Sequence, residues 1–183
     1  NKHGIVVQHY LTNPLLLDGF KFDLRVYCLI TCANPLRLFV YKDGLARFCT
    51  VPYKQPTRDN LLDDCMHLTN YSVNRRSDSF VTGSTSDAGS KRSIESVFRS
   101  LRKDFGVDTD TLWKDIDDVI AKTMLACQPA LATVYQSCFH TYNDGFSCFE
   151  LLGFDIMLDS NYKPWLIEVN HSPSFNSDTP LGE

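Results

Sequence analysis

The sequence predicts an α+β fold, because segments with strand periodicity are followed by helical segments and then by strands again. The first third is rich in Val, Tyr, Phe and Leu, the middle has the 3.6-residue apolar period of helices, and alternation returns near the end. This order is typical of an α+β layer fold and not of a doubly wound parallel sheet. We therefore expect an antiparallel sheet with helices packed against it.

The first third contains four predicted strands, which are Gly4–Leu11, Lys21–Thr31, Arg37–Tyr41 and Leu45–Thr50. The run Lys42-Asp43-Gly44 predicts a hairpin turn between the last two, since Gly readily adopts a positive φ. We expect a β-meander at the start of the chain.

The middle of the chain combines a loop and two helices. Residues 77–93 are rich in Ser, Asp, Gly, Thr and Lys, which predicts a flexible surface loop of the kind that often forms a lid. Helices are predicted over Ile94–Lys103 and from Thr111 to about Leu131. The predicted buried positions of the second helix are Leu112, Ile116, Val119, Ile120, Thr123 and Cys127.

Composition narrows the expected class of protein. The net charge is -4, so no basic field indicates a nucleic-acid or anionic-membrane partner, and no apolar run approaches the roughly 20 residues that span a bilayer. The seven Cys residues include no CxxC pair, which favours reduced core thiols in a cytosolic protein over zinc, redox or Cys-based catalysis. Because the chain begins at Asn1 and enters an apolar run at once, we expect it to be part of a larger domain.

The two strands predicted at the end, Phe149–Leu158 and Pro164–Asn170, carry the most specific pattern. Alternation assigns Phe154, Ile156, Leu158, Trp165, Ile167 and Val169 to the core face. The opposite face carries Asp155, Glu168 and Asn170, and a turn near residues 161–162 would set the two carboxylates about 5 Å apart. Such a pair holds a cation or shares a proton, and all-oxygen ligands favour Mg²⁺, although a solvent-exposed acidic face has the same spacing.

Three further groups of polar residues are candidates for a binding site, and two of these groups also have a purely structural interpretation. Lys21, Asp23 and Arg25 share one strand face, either as a cross-strand ion network or as a phosphate site. Arg47 could receive a carboxylate bidentately. The run from His67 to Ser72 could be a helix C-cap or a polar turn.

Several longer strings resemble the tubulin tyrosine ligase-like family of ATP-dependent ligases. The matching runs are VVQHYLTNPLLLDGFKFDLRVY, DGLARF, MHLTNYSVN, SKR, CFELLGFDIMLD and KPWLIEVNHSPSF. The resemblance implies that residues 1–183 are the C-terminal portion of an ATP-grasp ligase core, with the upstream part missing. The exit HSPSF is similar to that of the polyglutamylases in this family.

The resemblance also implies ligands and roles. Gln8, Tyr10, Leu11, Lys21, Asp23, Thr69 and Asn70 would bind ATP, and Arg47, Tyr71 and Lys91 would hold the incoming amino acid. Asp155, Glu168 and Asn170 would bind Mg²⁺, His171 would face the acceptor peptide, and Lys21, Arg47 and Glu168 would carry the catalysis.

The implied function is ATP-dependent addition of L-glutamate to glutamate side chains of acidic tubulin C-terminal tails through an acylphosphate. The expected location is the cytoplasmic cytoskeleton, including cilia or flagella. Three alternatives remain open at this point: a non-catalytic module that binds nucleotide or tubulin tails, a family member that ligates glycine or tyrosine, and a metal-dependent kinase or phosphohydrolase.

Overall fold

The computed structural model describes residues 7–83, 89–139 and 148–175. One antiparallel sheet has the strand order β4-β3-β2-β5-β6, and β1 pairs with β2. The strands are β1 (Leu16–Leu17), β2 (Phe20–Ala33), β3 (Leu36–Phe48), β4 (Lys91–Ser93), β5 (Glu150–Leu158) and β6 (Pro164–His171). The helices are α1 (Asp64–His67), α2 (Tyr71–Asn74), α3 (Ile94–Phe105) and α4 (Thr109–Cys138). The predicted α+β class is confirmed.

The core lies between one face of the sheet and the two long helices. Its sheet side includes Phe22, Leu24 and Val26 of β2, which are at most 1% exposed. Ser93 caps the start of α3 by accepting from the amide of Ser96. Both predicted long helices are thus present, although α4 continues to Cys138, well beyond the predicted end.

The predicted hairpin at Lys42-Asp43-Gly44 is wrong, because β3 runs without interruption through these residues. The register changes from Val26 opposite Gly44 to Cys28 opposite Val40, so two extra residues bulge out of β3. Gly44 has a φ of 151°, and a Cβ at this position would lie 2.2 Å from the carbonyl oxygen of Arg25. Gly44 does adopt a positive φ, but it lies at a β-bulge and not in a hairpin turn.

Two other expectations fail, one near the start of the chain and one for the cysteines. The structure gives residues 7–11 no regular secondary structure, and residues 4–6 of the predicted strand Gly4–Leu11 lie outside the described part. Cys127, Cys138 and Cys148 are exposed free thiols, so only part of the cysteine set belongs to the core.

In the predicted loop 77–93, residues 84–88 lie outside the described ranges, and Lys91–Ser93 is an edge strand.

The final hairpin has the predicted register at its carboxylates, with Asp155 directly opposite Glu168. A bulge at Ile167 then shifts the pairing to Ile156 opposite Leu166, and this reverses the alternation beyond it. Trp165, Ile167 and Val169 were predicted as core residues, but they are 42%, 39% and 38% exposed. Leu166 packs against the core instead, and β6 is the edge of the sheet.

Among the helices in the described ranges, none combines the length and the apolar character needed to cross a membrane.

Candidate functional site

A row of charged side chains crosses the sheet on the face opposite the apolar core. Cα pairing sets Lys91 of β4 beside Arg47 of β3, and Arg47 beside Asp23 of β2. Two residues further along β2, Arg25 pairs with Asp155 of β5. Asp155 in turn pairs with Glu168 of β6. Because paired residues point to the same face, five strands contribute side chains to one surface.

Asp23 and Arg47 form a buried ion pair at the centre of this row. The Nε of Arg47 donates to Oδ1 of Asp23 at 2.9 Å, and a second nitrogen of Arg47 donates to Oδ2. Asp23 is 2% exposed. Burial raises the pKa of Asp23, whereas the hydrogen bond and the charge of Arg47 oppose that rise, helped by the hydroxyl of Thr69. Neither member of this pair is well solvated, so each depends on the other.

Asp155 is the second buried carboxylate and is also 2% exposed. Arg25 donates to both of its oxygens, with the contact to Oδ2 at 3.0 Å, and Arg47 reaches Oδ2 at 2.7 Å. Burial alone would raise the pKa of Asp155, but the hydrogen bond from Arg25 and the charges of both arginines lower it below its usual value. Asp155 is therefore held as a carboxylate.

The predicted metal ligands lie together on the last two strands. The Nδ2 of Asn170 is 3.4 Å from Oδ2 of Asp155 and 3.1 Å from Oε1 of Glu168. Within the described ranges, no group of three or more His, Cys, Asp or Glu side chains could hold a metal ion. The candidate set of two carboxylates and one amide fits a hard cation such as Mg²⁺, because an amide turned over presents its oxygen in place of its nitrogen.

Lys21 lies two residues before Asp23 on the same face of β2 and is 4% exposed. Its Nζ donates to the main-chain oxygen of His67 at 2.7 Å and to the hydroxyl of Tyr10 at 3.1 Å. Burial lowers the pKa of Lys21 from its ordinary value. The side chain thus lies between the charged row and a neighbouring cavity, where a charged ligand group would offset its desolvation.

That cavity has a volume of about 750 Å³ and brings together residues that are far apart in the sequence. Its walls include six predicted nucleotide-binding residues and seven others. They are Gln8, His9, Tyr10, Leu11, Lys21, His67, Leu68, Thr69, Asn70, Met157, Trp165, Leu166 and Ile167. Asp23 is not part of the lining, since it pairs with Arg47 in the adjacent row.

The residues predicted to hold an amino acid lie at the other end of the row. The Nζ of Lys91 is 4.4 Å from the centre of the Tyr71 ring, and Lys91 is the Cα partner of Arg47. The fork of Arg47 is already engaged by Asp23 and Asp155.

His171 is exposed at the end of β6, followed by the predicted irregular exit, which is held by a hydrogen bond from Tyr27 to the oxygen of Ser174 at 2.9 Å.

The structure adds residues that sequence reasoning did not assign to the site. Arg25 was predicted only as part of a charged stripe, yet it is the bidentate partner of Asp155. Trp165 and Met157 line the cavity, and the bulge at Ile167 is what turns Trp165 to this face. The indole Nε1 of Trp165 donates to Asp159 at 3.0 Å. The alternation of Lys21, Asp23 and Arg25 was a signal for the first of these, but no sequence signal marked the bulge.

Comparison with known proteins defines the family. A model of the family described as "Tubulin-tyrosine ligase family" matches residues 1–183. The chain belongs to this family. Members with high identity include tubulin polyglutamylase ttll6 of Danio rerio, which is 50% identical over 177 residues, covering 97% of this chain and 22% of that protein. Tubulin polyglutamylase TTLL6 of Mus musculus is 51% identical over 177 residues, covering 97% of this chain and 21% of that protein.

A third similar family member comes from another organism. The probable beta-tubulin polyglutamylase of Tetrahymena thermophila is 50% identical over 179 residues, covering 96% of this chain and 15% of that protein. The chain therefore spans between 15% and 22% of the length of these three relatives.

Proposed function

We propose that the protein containing this chain is an ATP-dependent ligase that joins L-glutamate to glutamate side chains in the acidic C-terminal tails of tubulin. The observation that carries this proposal is the cavity beside the row of charged side chains, because it supplies a nucleotide-sized space next to carboxylates suited to a cation. Two relatives that are about half identical bear the name tubulin polyglutamylase and a third the name probable beta-tubulin polyglutamylase, which supports the choice of substrate. The proposed fold is the C-terminal part of an ATP-grasp core.

The proposed chemistry has two steps. In the first, an acceptor side-chain carboxylate attacks the γ-phosphorus of ATP, an acylphosphate forms and ADP leaves. In the second, the amine of free glutamate attacks the acyl carbon, phosphate leaves, and an isopeptide bond forms with loss of one proton from nitrogen. The carboxylate becomes electrophilic only after the first step, which is why the reaction needs ATP.

Residues of the cavity would bind and orient the nucleotide. Tyr10 and Leu11 with Trp165 offer aromatic and aliphatic surface for a base, while Thr69 and Asn70 offer polar atoms. Lys21 would stabilise phosphate charge, and its buried position strengthens that interaction.

Asp155, Glu168 and Asn170 would hold Mg²⁺, which in phosphoryl transfer neutralises charge on the phosphates. The protein's own contribution is to keep Asp155 ionised through Arg25 and Arg47, so that no proton has to leave when a cation binds. Glu168 is exposed on the edge strand and faces the solvent from which a cation would enter.

Lys91 and Tyr71 would hold the incoming amino acid, with Arg47 behind them. Glutamate carries two carboxylates, whereas tyrosine and glycine carry one each. Glutamate therefore suits this cationic end of the row better. Lys91 extends the positive charge of Arg47 onto the neighbouring strand, because the two residues are Cα partners. We place the activity on the cytoskeleton, in the cytoplasm and in cilia.

The proposal is tested with full-length protein, ATP, labelled glutamate and microtubules, with glycine and tyrosine as competitors. The expected result is incorporation of glutamate that needs ATP and that excess glycine or tyrosine does not suppress. Release of ADP over many turnovers should need both glutamate and acceptor, because the acylphosphate has to be consumed before another ATP reacts, whereas a phosphohydrolase releases ADP without either. ATP binding with no incorporation of any of the three amino acids would indicate a binding module instead.

A further inference from the structure

Four donor contacts surround the carboxylate of Asp155, and three of them converge on Oδ2. Oδ1 accepts from Nε of Arg25, and Oδ2 accepts from a second nitrogen of Arg25 at 3.0 Å, from Arg47 at 2.7 Å and from Asn170 at 3.4 Å. A carboxylate oxygen has about two lone-pair positions, so the two arginines fill those of Oδ2 even after the Asn170 amide has turned over to present its oxygen. A cation that binds at Oδ2 must therefore displace an arginine.

The two arginines differ in what they keep if they leave Asp155. Arg47 retains its bidentate contact with Asp23, which is equally buried. Arg25, by contrast, directs both hydrogen-bonding nitrogens at Asp155. The pair with Asp23 thus anchors the guanidinium of Arg47 within reach of Asp155, whereas Arg25 can turn away from Asp155 without breaking a second buried ion pair. Arg25 is therefore the donor that a cation displaces.

The position of Arg25 depends on a glycine. A Cβ on Gly153 would lie 2.9 Å from Cδ of Arg25, 3.2 Å from its Nε and 2.7 Å from Cβ of Pro173. The guanidinium therefore lies against β5 at a place that a larger residue would fill. This packing fixes Arg25 on Asp155 with 11% of its side chain exposed.

We infer that Arg25 is the internal counter-ion that a divalent cation displaces from Asp155. This inference rests on the proposed metal site. Without a cation, the guanidinium of Arg25 compensates the charge of Asp155, which is 2% exposed, and so stabilises the cation-free form of the protein. The same contact competes with the cation, because both need the oxygens of Asp155. Arg25 consequently lowers the affinity for the cation alone and is a positioning residue for Asp155.

The test is a titration of full-length protein with Mn²⁺ and with Mg²⁺ in the absence of nucleotide, followed by calorimetry and, for Mn²⁺, by electron paramagnetic resonance. Arg25→Met removes the counter-ion, and Arg25→Lys keeps the charge but loses the fork. Asp155→Asn removes a proposed metal ligand and so shows whether the cation binds at this site. The matched control is Arg102→Met, which removes an exposed arginine that pairs with Glu95.

Competition predicts that Arg25→Met tightens binding of Mn²⁺ at least about fivefold, a typical linkage between two ligands of one site. Arg25→Lys should tighten it less, and Arg102→Met should leave it unchanged. Metal-free Arg25→Met should also melt below the parent protein and gain more in melting temperature from Mn²⁺. If Arg25→Met does not fold, the tightening in Arg25→Lys decides.

Two outcomes overturn the inference and differ in what else they remove. Unchanged or weaker affinity in the Arg25 variants, with binding abolished by Asp155→Asn, rejects competition but leaves the proposed metal site intact. Binding that Asp155→Asn does not affect rejects both, because the cation is then held elsewhere.

Discussion

Replacing Arg47 by Met should be among the most destabilising single changes in the sheet. Asp23 is 2% exposed and its pKa is already raised by burial, so loss of Arg47 leaves a buried carboxylate with little compensation. Removing one partner of a buried ion pair costs about 3–5 kcal/mol. Hydrogen exchange of the β2 and β3 amides in full-length protein should then accelerate by roughly two to four orders of magnitude, at about 1.36 kcal/mol per factor of ten.

The pH dependence of this cost has a definite sign. In Arg47→Met the folded-state pKa of Asp23 rises further above its unfolded-state pKa. Protonated Asp23 then favours the folded state, fully so below about pH 4, and this stabilisation is lost as the pH rises through the folded-state pKa. Asp155 acts in the opposite sense in the parent protein. Its pKa is lowered, so its stabilisation is present above the unfolded value and is lost as pH falls through the folded value. Both effects make the variant's deficit largest near neutral pH and smaller near about pH 4.

Two comparisons make the reasoning refutable. Lys122→Met breaks an exposed pair with Asp118, and should cost only about 0.3–0.5 kcal/mol. Asp23→Leu combined with Arg47→Met should cost less than the sum of the single changes, because no buried charge is left at Asp23. A cost below about 1 kcal/mol for Arg47→Met, or strict additivity in the double variant, would refute the account of the buried pair.

Three further predictions concern the site and the thiols. Trp165 lines the cavity, so Trp165→Phe should reduce the saturable fluorescence change that ATP causes in full-length protein, whereas Trp113→Phe should not, and an unchanged response in Trp165→Phe would place the base elsewhere. Lys91→Met should raise the KM for glutamate about 10- to 100-fold, the value of one hydrogen bond to a charged group, with little effect on the KM for ATP. Lys103→Met, on the exposed side of α3, is its control, and equal effects on both substrates would contradict the assignment. Burial raises the pKa of Cys49 to about 12, so iodoacetamide at about pH 8 should label the exposed thiols of α4 first, as mass spectrometry can show.

The sequence predicted those parts of the site that depend on regular alternation. The opposition of Asp155 and Glu168 follows from strand period and turn length, and the structure has that register. The common face of Lys21 and Asp23 follows in the same way, although their different partners do not.

The failures occur where the period is interrupted. A glycine that permits a positive φ is compatible with both a hairpin and a bulge, so Gly44 did not reveal that β3 continues through it. The bulge at Ile167 likewise turned Trp165 from a predicted core position to the wall of the cavity. Such choices depend on which strand lies alongside, and that information is not local.

The bidentate contact of Arg25 with Asp155 was also beyond local patterns. The two residues are 130 positions apart and meet only because β2 and β5 are neighbours in the sheet. A prediction of strand order, and not of strand positions alone, would have been required to find it.

The proposed acylphosphate is tested most directly by following oxygen. An acceptor peptide whose glutamate side-chain carboxylate carries ¹⁸O is incubated with full-length protein, ATP and glutamate, and the inorganic phosphate is analysed by mass spectrometry. The account predicts one ¹⁸O atom in phosphate for each isopeptide bond formed, and neither product with Glu168→Gln. Isopeptide formation with no ¹⁸O in phosphate would contradict it.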